Sequence, residues 1–300
     1  MSDSDGRVQR TSDGSAAPPR LRFYLNLATL EDLPSWSEAP TGEPSWLTQA
    51  LAQSGYHGVQ SDNPDEYRRY GLGAATLGRA NTADEIIACA RRWSRAGYDC
   101  GTMHIGWGFE NDSKVAELAQ VVVDASAQFG IPLYIETHRA TITQDPWRTL
   151  QMIERVPDVR LNGDFSHWYT GSEMVYGDFG DKLKLLQPVF QRIFFIHARV
   201  GNSGAMQVPL ADPSMDLAMQ HYREMWTRAM SGFLQGARAG DYLVFAPELL
   251  RSSINYARRY RSSDGRWVED SDRWLDSLEL LKVARECFEA ARRATPAWAG

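Results

Sequence analysis

The 300-residue chain is short of cysteine and has no long apolar run. Cys89, Cys100 and Cys287 leave an odd thiol and form no metal-ligand spacing, which argues against a disulfide scaffold and fits a reducing cytosol. No stretch approaches the roughly 18 apolar residues that a membrane helix needs. Positive charge is in deficit: Lys plus Arg total 32 against 38 for Asp plus Glu, a formal net charge of -6. A chain of that sign is a poor match for a phosphate backbone, so no nucleic-acid partner is expected. Gly71-Leu72-Gly73 lacks the third glycine of a dinucleotide fingerprint and no P-loop occurs, so nucleotide-binding α/β folds lose their best support. The first residues carry no apolar leader. Residues 1–19, rich in Ser, Asp, Gly, Ala and Pro, are expected to form a flexible tail, and the protein to be cytoplasmic.

What is present is a soluble globular composition, 43% hydrophobic and 23% charged, arranged as alternating short apolar runs and amphipathic segments. Strands are expected at 21–27, 56–60, 72–77, 99–105, 131–137, 159–165, 192–198 and 242–246. Helices are expected at 45–54, 81–97, 113–129, 146–155, 182–189, 215–237 and 274–293. Thr82 and Glu85 have the spacing of a capping box, Gly97 and Gly130 stop helices, and Asp145-Pro146 reads as a cap and first turn. Strands alternating with helices imply parallel βα units. Eight of them over about 280 residues suit a single-domain α/β fold, the (β/α)8 TIM barrel, over residues 20–300.

In such a barrel, chemistry sits at the C-terminal ends of the strands. Five consecutive expected strands end in a potential ligand or acid/base group: His104; Glu136 and His138; Asp164 and His167; His197 and Arg199; Glu248. Any one of these alone reads as an ordinary solvated loop residue. Together, Glu136, Asp164, His197 and Glu248 would converge on the barrel axis. Three carboxylates so close repel one another by several kcal/mol unless protons or a cation compensate. Three oxygen ligands and one imidazole suit a hard or borderline ion, with Mn²⁺, Mg²⁺ or Co²⁺ ahead of Zn²⁺. His138 and Arg199 follow Glu136 and His197 by two residues and so share their face if the strands continue. Arg199 then either holds a substrate oxygen or neutralises the carboxylates. Trp107 and Trp168, just beyond these strands, are candidate aromatic walls for a sugar; the alternative for each is packing. The run 256–261 is the only locally basic patch and reads as a solvated helix face.

Ile-Glu136-Thr-His-Arg, Gly-Asp164-Phe-Ser-His167-Trp, Phe-Ile-His197-Ala-Arg199 and Ala-Pro-Glu248 resemble the xylose isomerase-like TIM-barrel superfamily, the sugar phosphate isomerase/epimerase or AP endonuclease family 2 group. The resemblance runs from about residue 21 to 290. It implies one divalent metal ion, Mn²⁺ first, on Glu136, Asp164, His197 and Glu248. It also implies catalytic acid/base roles for Glu136 and Glu248, and substrate contacts from His167 and Arg199. His104 and His138 join the substrate-binding candidates; His104 also matches an extra metal ligand of the endonuclease branch. Residues 70–76 supply no further histidine for a three-metal site.

The reaction expected is isomerisation or epimerisation of a ketose, keto-sugar or cyclitol: a glutamate removes a proton from carbon beside a metal-polarised carbonyl, giving an enediolate. A leaving group β to that carbanion would turn the same machinery into a lyase or dehydratase of a keto-sugar or keto-glycoside. An AP-endonuclease-like phosphodiesterase with several metals, and a binding protein without turnover, are the other readings. The partner is a small sugar-like molecule, with homo-oligomerisation open. Residues 201–214, rich in Gly, Met and Pro, form an insertion on the catalytic face.

Overall fold

The computed structural model of the protein describes residues 9–212 and 215–295. Eight parallel strands close into a barrel in sequence order: β1 (Arg20–Asn26), β2 (Gly58–Gln60), β3 (Gly73–Ala80), β4 (Cys100–Ile105), β5 (Leu133–Glu136), β6 (Leu161–Asn162), β7 (Ile193–Ala198) and β8 (Tyr242–Pro247), with β8 pairing back onto β1. Each expected strand is present. β6 keeps only two residues of the expected seven, because the chain leaves the sheet at Gly163 and its register against β7 shifts between Leu161 and Asn162.

The connections carry α1 (Pro44–Gln53), α2 (Pro64–Arg68), α3 (Ala83–Ala96), α4 (Asp112–Phe129), α5 (Pro146–Arg155), α6 (Ser166–Gly171), α7 (Phe179–Leu185), α8 (Gln187–Phe190), α9 (Asp216–Gly236) and α10 (Arg273–Ala294). The local signals act as expected. Thr82 and Glu85 form a reciprocal capping box on α3, Gly97 ends it at φ 77°, and the Asp145 side chain accepts from Arg148 N on α5. Sequence 182–189 is divided between α7 and α8, with Pro188 in the first turn of the second helix. The strands are lined by buried apolar side chains on both faces, the pattern of a parallel sheet covered by helices.

Two expectations change. Residues 1–8 lie outside the described residues, but a flexible tail does not extend over 9–19. Thr11 is buried; its hydroxyl donates to Tyr242 O at 2.6 Å and its carbonyl accepts from Tyr242 N at 3.0 Å. Ser12 bridges Asp241, so the segment supplies partners for backbone groups at the start of β8. The run 256–261 is not a helix face. It leads into β9 (Arg259–Arg261), which pairs antiparallel with β10 (Trp267–Glu269) across a turn in which Gly265 takes φ 85° and Ser262 and Asp264 bond locally. No helix among the described residues is long and apolar enough to cross a membrane.

Candidate metal centre and active site

The strand ends bring the four expected ligands together. Glu136 ends β5, His197 lies in β7 beside Ala246 of β8, and Glu248 follows β8, its amide bonded to Ala198 O at 3.1 Å. Asp164 follows β6 and is locked by its own turn, since its Oδ1 accepts from Ser166 N at 3.0 Å. One potential ligand atom from each of Glu136, Asp164, His197 and Glu248 lies within 4.8 Å of the other three. His197 Nδ1 is 3.0 Å from Glu136 Oε2 and 3.6 Å from Glu248 Oε2. All four side chains are buried.

Arg199 is buried against this cluster. Its Nη2 donates to Asp164 Oδ2 and lies 3.3 Å from Glu248 Oε2, so it neutralises the carboxylates, one of its two expected roles. Its Nη1 is buried with no hydrogen-bond partner among the described residues. His104, His138 and His167 adjoin in a row, their rings tilted by 35° and 47° with centroids 4.0 and 3.9 Å apart. His104 Nε2 stands 3.1 Å from Glu136 Oε1, but the two are not aligned as a hydrogen bond, and both atoms are without a partner. His167 Nε2 lies 3.4 Å from Asp164 Oδ2, and its Nδ1 is also unpartnered. His104, Glu136 and His138 form a second, overlapping group whose ligand atoms lie within 4.8 Å of one another.

The charges perturb one another strongly. Burial alone would raise Glu136, yet the His197 and His104 imidazoles hold it well below the usual carboxylate range. Burial raises Glu248, and the Glu136 charge adds to that. Burial also disfavours protonated His197, but Glu248 and Glu136 overcome it and push the imidazole up to about 9. His138 is driven down to about 3 by burial and by His167, which keeps it neutral.

Three amide side chains that the sequence did not single out hold this cluster. Asn26, Gln60 and Asn162 are the last residues of β1, β2 and β6; Asn26 pairs with Gln60 in register, and Asn162 with Glu136. Asn26 Nδ2 donates to Glu248 Oε1 at 2.8 Å, and Asn162 Nδ2 to Glu136 Oε2 at 3.0 Å. Gln60 Nε2 donates to the Thr76 carbonyl (3.3 Å) and to Thr102 Oγ1 (2.9 Å). A carbonyl only accepts, so the amide orientation is fixed, and Gln60 Oε1 faces His197 Nε2 at 2.8 Å. His197 therefore carries a hydrogen on Nε2 and turns Nδ1 toward the carboxylates, an orientation suited to ligation. Tyr256, from the loop after β8, is the fourth unforeseen residue: the Arg199 guanidinium lies 4.6 Å from its ring centroid.

The tryptophans stand apart from the cluster. Trp168 is 1% exposed, with its indole donating to Thr143 O at 2.9 Å, and packs near Phe165. It is a packing residue, turned inward because α6 starts immediately after the Asp164 turn. Trp107 is exposed beside Arg79 and lines neither of two cavities whose walls include residues in contact with the cluster or with Arg199. Those cavities are a 420 Å³ pocket reaching Asn26 and Gln60, and a 340 Å³ pocket reaching Arg139 and Tyr256.

No protein-family model matches the chain, and no curated protein matches it in sequence. Solved structures do. Among them are the probable 3-DHS dehydratase AsbF of Bacillus anthracis (12% identity, 87% of this chain and 98% of that one, TM-score 0.53) and a D-tagatose 3-epimerase-like protein (12%, 89% and 98%, TM-score 0.53). A xylose isomerase-like TIM-barrel protein of Mycobacterium smegmatis, in complex with magnesium, is similar over 92% of this chain and 98% of its own (12% identity, TM-score 0.51). The chain thus shares the (β/α)8 barrel fold of these proteins. At this identity the likeness speaks for the scaffold, and the chemistry has to be argued from the site.

Proposed function

We propose that the protein is a divalent-metal-dependent isomerase or epimerase of a ketose, keto-sugar or cyclitol. The carrying observation is a set of four buried, unpartnered polar atoms on adjoining residues of one site: Glu136 Oε1, His104 Nε2, His167 Nδ1 and Arg199 Nη1. Buried polar atoms are rarely left without partners, so a group of them on neighbouring residues reads as a ligand site. The donor chemistry fits a hard cation, with three carboxylates and one imidazole in mutual reach. Glu136, Asp164, His197 and Glu248 would hold it. Such an ion, when bound, polarises a carbonyl and acidifies the adjoining carbon.

The residues of the chain do the rest. Glu136 Oε1, whose close neighbour is the misaligned His104 Nε2 at 3.1 Å, is the oxygen we assign to take the proton. Glu248, held by Asn26 and Arg199, is the second acid/base group. Arg199 Nη1 and His167 Nδ1 orient substrate oxygens, and burial of the cluster keeps bulk water from the carbanion. Return of the proton to the same carbon from the other side is epimerisation; return to its neighbour is isomerisation. A β leaving group diverts the same carbanion to elimination.

The test is incubation with Mn²⁺ in D₂O and candidate ketoses, keto-glycosides and cyclitol ketones. Deuterium is expected at one carbon beside the carbonyl, with Glu136→Gln and Glu248→Gln abolishing uptake. The product names the reaction. Absence of exchange in the whole panel, with metal bound, contradicts the proposal.

A further inference from the structure

Two of the cavities formed by loops beyond the C-terminal ends of the strands differ in sign. The one beside β1 and β2 is lined by Glu31, Asp62 and Glu66 together with the amides Asn26 and Gln60, and has no Lys or Arg in its wall. The one beyond β5, β7 and β8 is lined by Arg139, Arg258 and Arg259 and, among the described residues, has no acidic side chain in its wall. In an acidic protein, beside a cluster of three carboxylates, that asymmetry asks for a cause.

The basic cavity is a built structure. Residues 204–207 of the insertion after β7 form part of its wall. Asn202 O accepts from Thr170 Oγ1 at 2.8 Å, and Asn202 Oδ1 accepts from the amides of Gly204 and Ala205 at 2.9 and 2.8 Å. A Cβ on Gly201 would stand 2.5 Å from Ala205 O, so the tight turn requires glycine there. Gln207 and Leu250 exchange two hydrogen bonds, 2.9 and 2.8 Å, tying the insertion to the loop after β8. Arg258 is consumed in this scaffold by Asp212 and Asp270, at 2.9 and 2.8 Å. Arg139 and Arg259 are not: both are exposed, their guanidiniums lie 5.4 and 5.7 Å from the ring centroids of Tyr256 and Trp267, and neither has a carboxylate partner among the described residues. The Tyr256 ring centroid is 5.4 Å from the Arg139 guanidinium and 4.6 Å from that of Arg199, so one aromatic ring touches both the basic cavity and the candidate active site.

We propose that this cavity is the subsite for an anionic group of the substrate, a carboxylate or a phosphate, held by Arg139 and Arg259 while the reacting carbonyl lies at the Glu136–Glu248 cluster. The inference rests on the proposed function and narrows it to acidic sugars. Two planar guanidiniums without carboxylate partners match either oxyanion. The acidic cavity repels the same group, so the substrate enters in one orientation, with its neutral hydroxyl-bearing end toward Asn26 and Gln60.

The test is calorimetric titration of the Mn²⁺-treated protein with three probes of matched length: D-glucitol, D-gluconate and D-glucitol 6-phosphate. At least one anion is expected to bind about tenfold or more tightly than glucitol, the loss of charge-assisted hydrogen bonds being of that order. The carboxylate and phosphate arms identify which oxyanion the cavity takes. The Arg139→Gln/Arg259→Gln variant is expected to abolish the preference while leaving glucitol binding unchanged; both residues are exposed, and circular dichroism checks the fold. No preference for either anion, or a preference that survives the double variant, overturns the subsite. Solvent exchange into neutral ketoses without any anion preference sinks the subsite alone. An arginine-dependent preference with no exchange in any substrate sinks the chemistry alone.

Discussion

Gln60 offers a sharp test of how the site is held. Replacing it with leucine keeps the approximate volume and removes the amide. His197 Nε2–H and Asn26 Nδ2 then lose their acceptor at 2.8 and 3.0 Å, and Thr102 Oγ1 loses its donor at 2.9 Å. A neutral hydrogen bond contributes about 0.5–1.5 kcal/mol, one from the protonated His197 imidazole more, and buried groups left unpaired add to the cost, so the variant should lose about 2–4 kcal/mol of stability. The larger effect is on the ion. Without its acceptor the imidazole is free to turn or change tautomer, and loss of such an outer partner costs roughly 10–100-fold in metal affinity. Gln60→Glu keeps an oxygen facing Nε2 and should retain most of that affinity. Urea denaturation after chelation measures the first effect, and Mn²⁺ titration of the folded variants measures the second. A folded Gln60→Leu protein that binds Mn²⁺ as tightly as the parent would refute the argument that Gln60 sets the ligating nitrogen.

Two further outcomes are expected. Arg273 is 1% exposed; it donates to Glu269 Oε2 at 2.8 Å and to Thr29 O at 2.6 Å, tying α10 to the loops after β1 and β8. Arg273→Met leaves the Glu269 carboxylate buried and unpaired and should cost about 3–5 kcal/mol by urea denaturation, with a smaller loss when Glu269→Leu is added. Asp276 is pushed by burial up to about 6, so the native state holds a proton that the unfolded chain has released. Stability from this group is therefore greatest below the ordinary aspartate value and falls as pH rises from about 4 to about 6. Asp276→Asn should flatten that fall and add about 1–2 kcal/mol at pH 8, discounted for partial exposure. Parallel pH–stability curves for the two proteins would count against it.

The barrel was legible because its signals are local. Capping residues, helix-stopping glycines and apolar runs act over a few positions, and Thr82, Glu85, Gly97 and Asp145 stand where such signals place them. The central acidic and imidazole residues were legible for a related reason: ionisable groups at successive strand ends have few roles other than chemistry. The amides were not. Asn26, Gln60 and Asn162 look like ordinary loop polar residues, although each is the last residue of its strand and Asn162 precedes Asp164 by two. Their role depends on register between strands, as in Asn26 opposite Gln60, which one chain segment does not reveal. Tyr256 and the cavity at Arg139 depend on two long loops folding against each other through Gln207 and Leu250, a contact across 43 residues. Trp168 misled for the opposite reason: its place after a strand end suggested a pocket wall, but one turn of helix rotates it into the core.

The central claim is that Glu136, Asp164, His197 and Glu248 hold a single divalent ion. Equilibrium dialysis against Mn²⁺ followed by elemental analysis tests it without any substrate. One ion per chain is predicted, with occupancy lost in Glu136→Gln and Asp164→Asn while the fold persists. A folded parent protein that retains no ion contradicts the account. So does one that retains two tightly, because a second ion on His104, Glu136 and His138 would favour phosphoester hydrolysis instead.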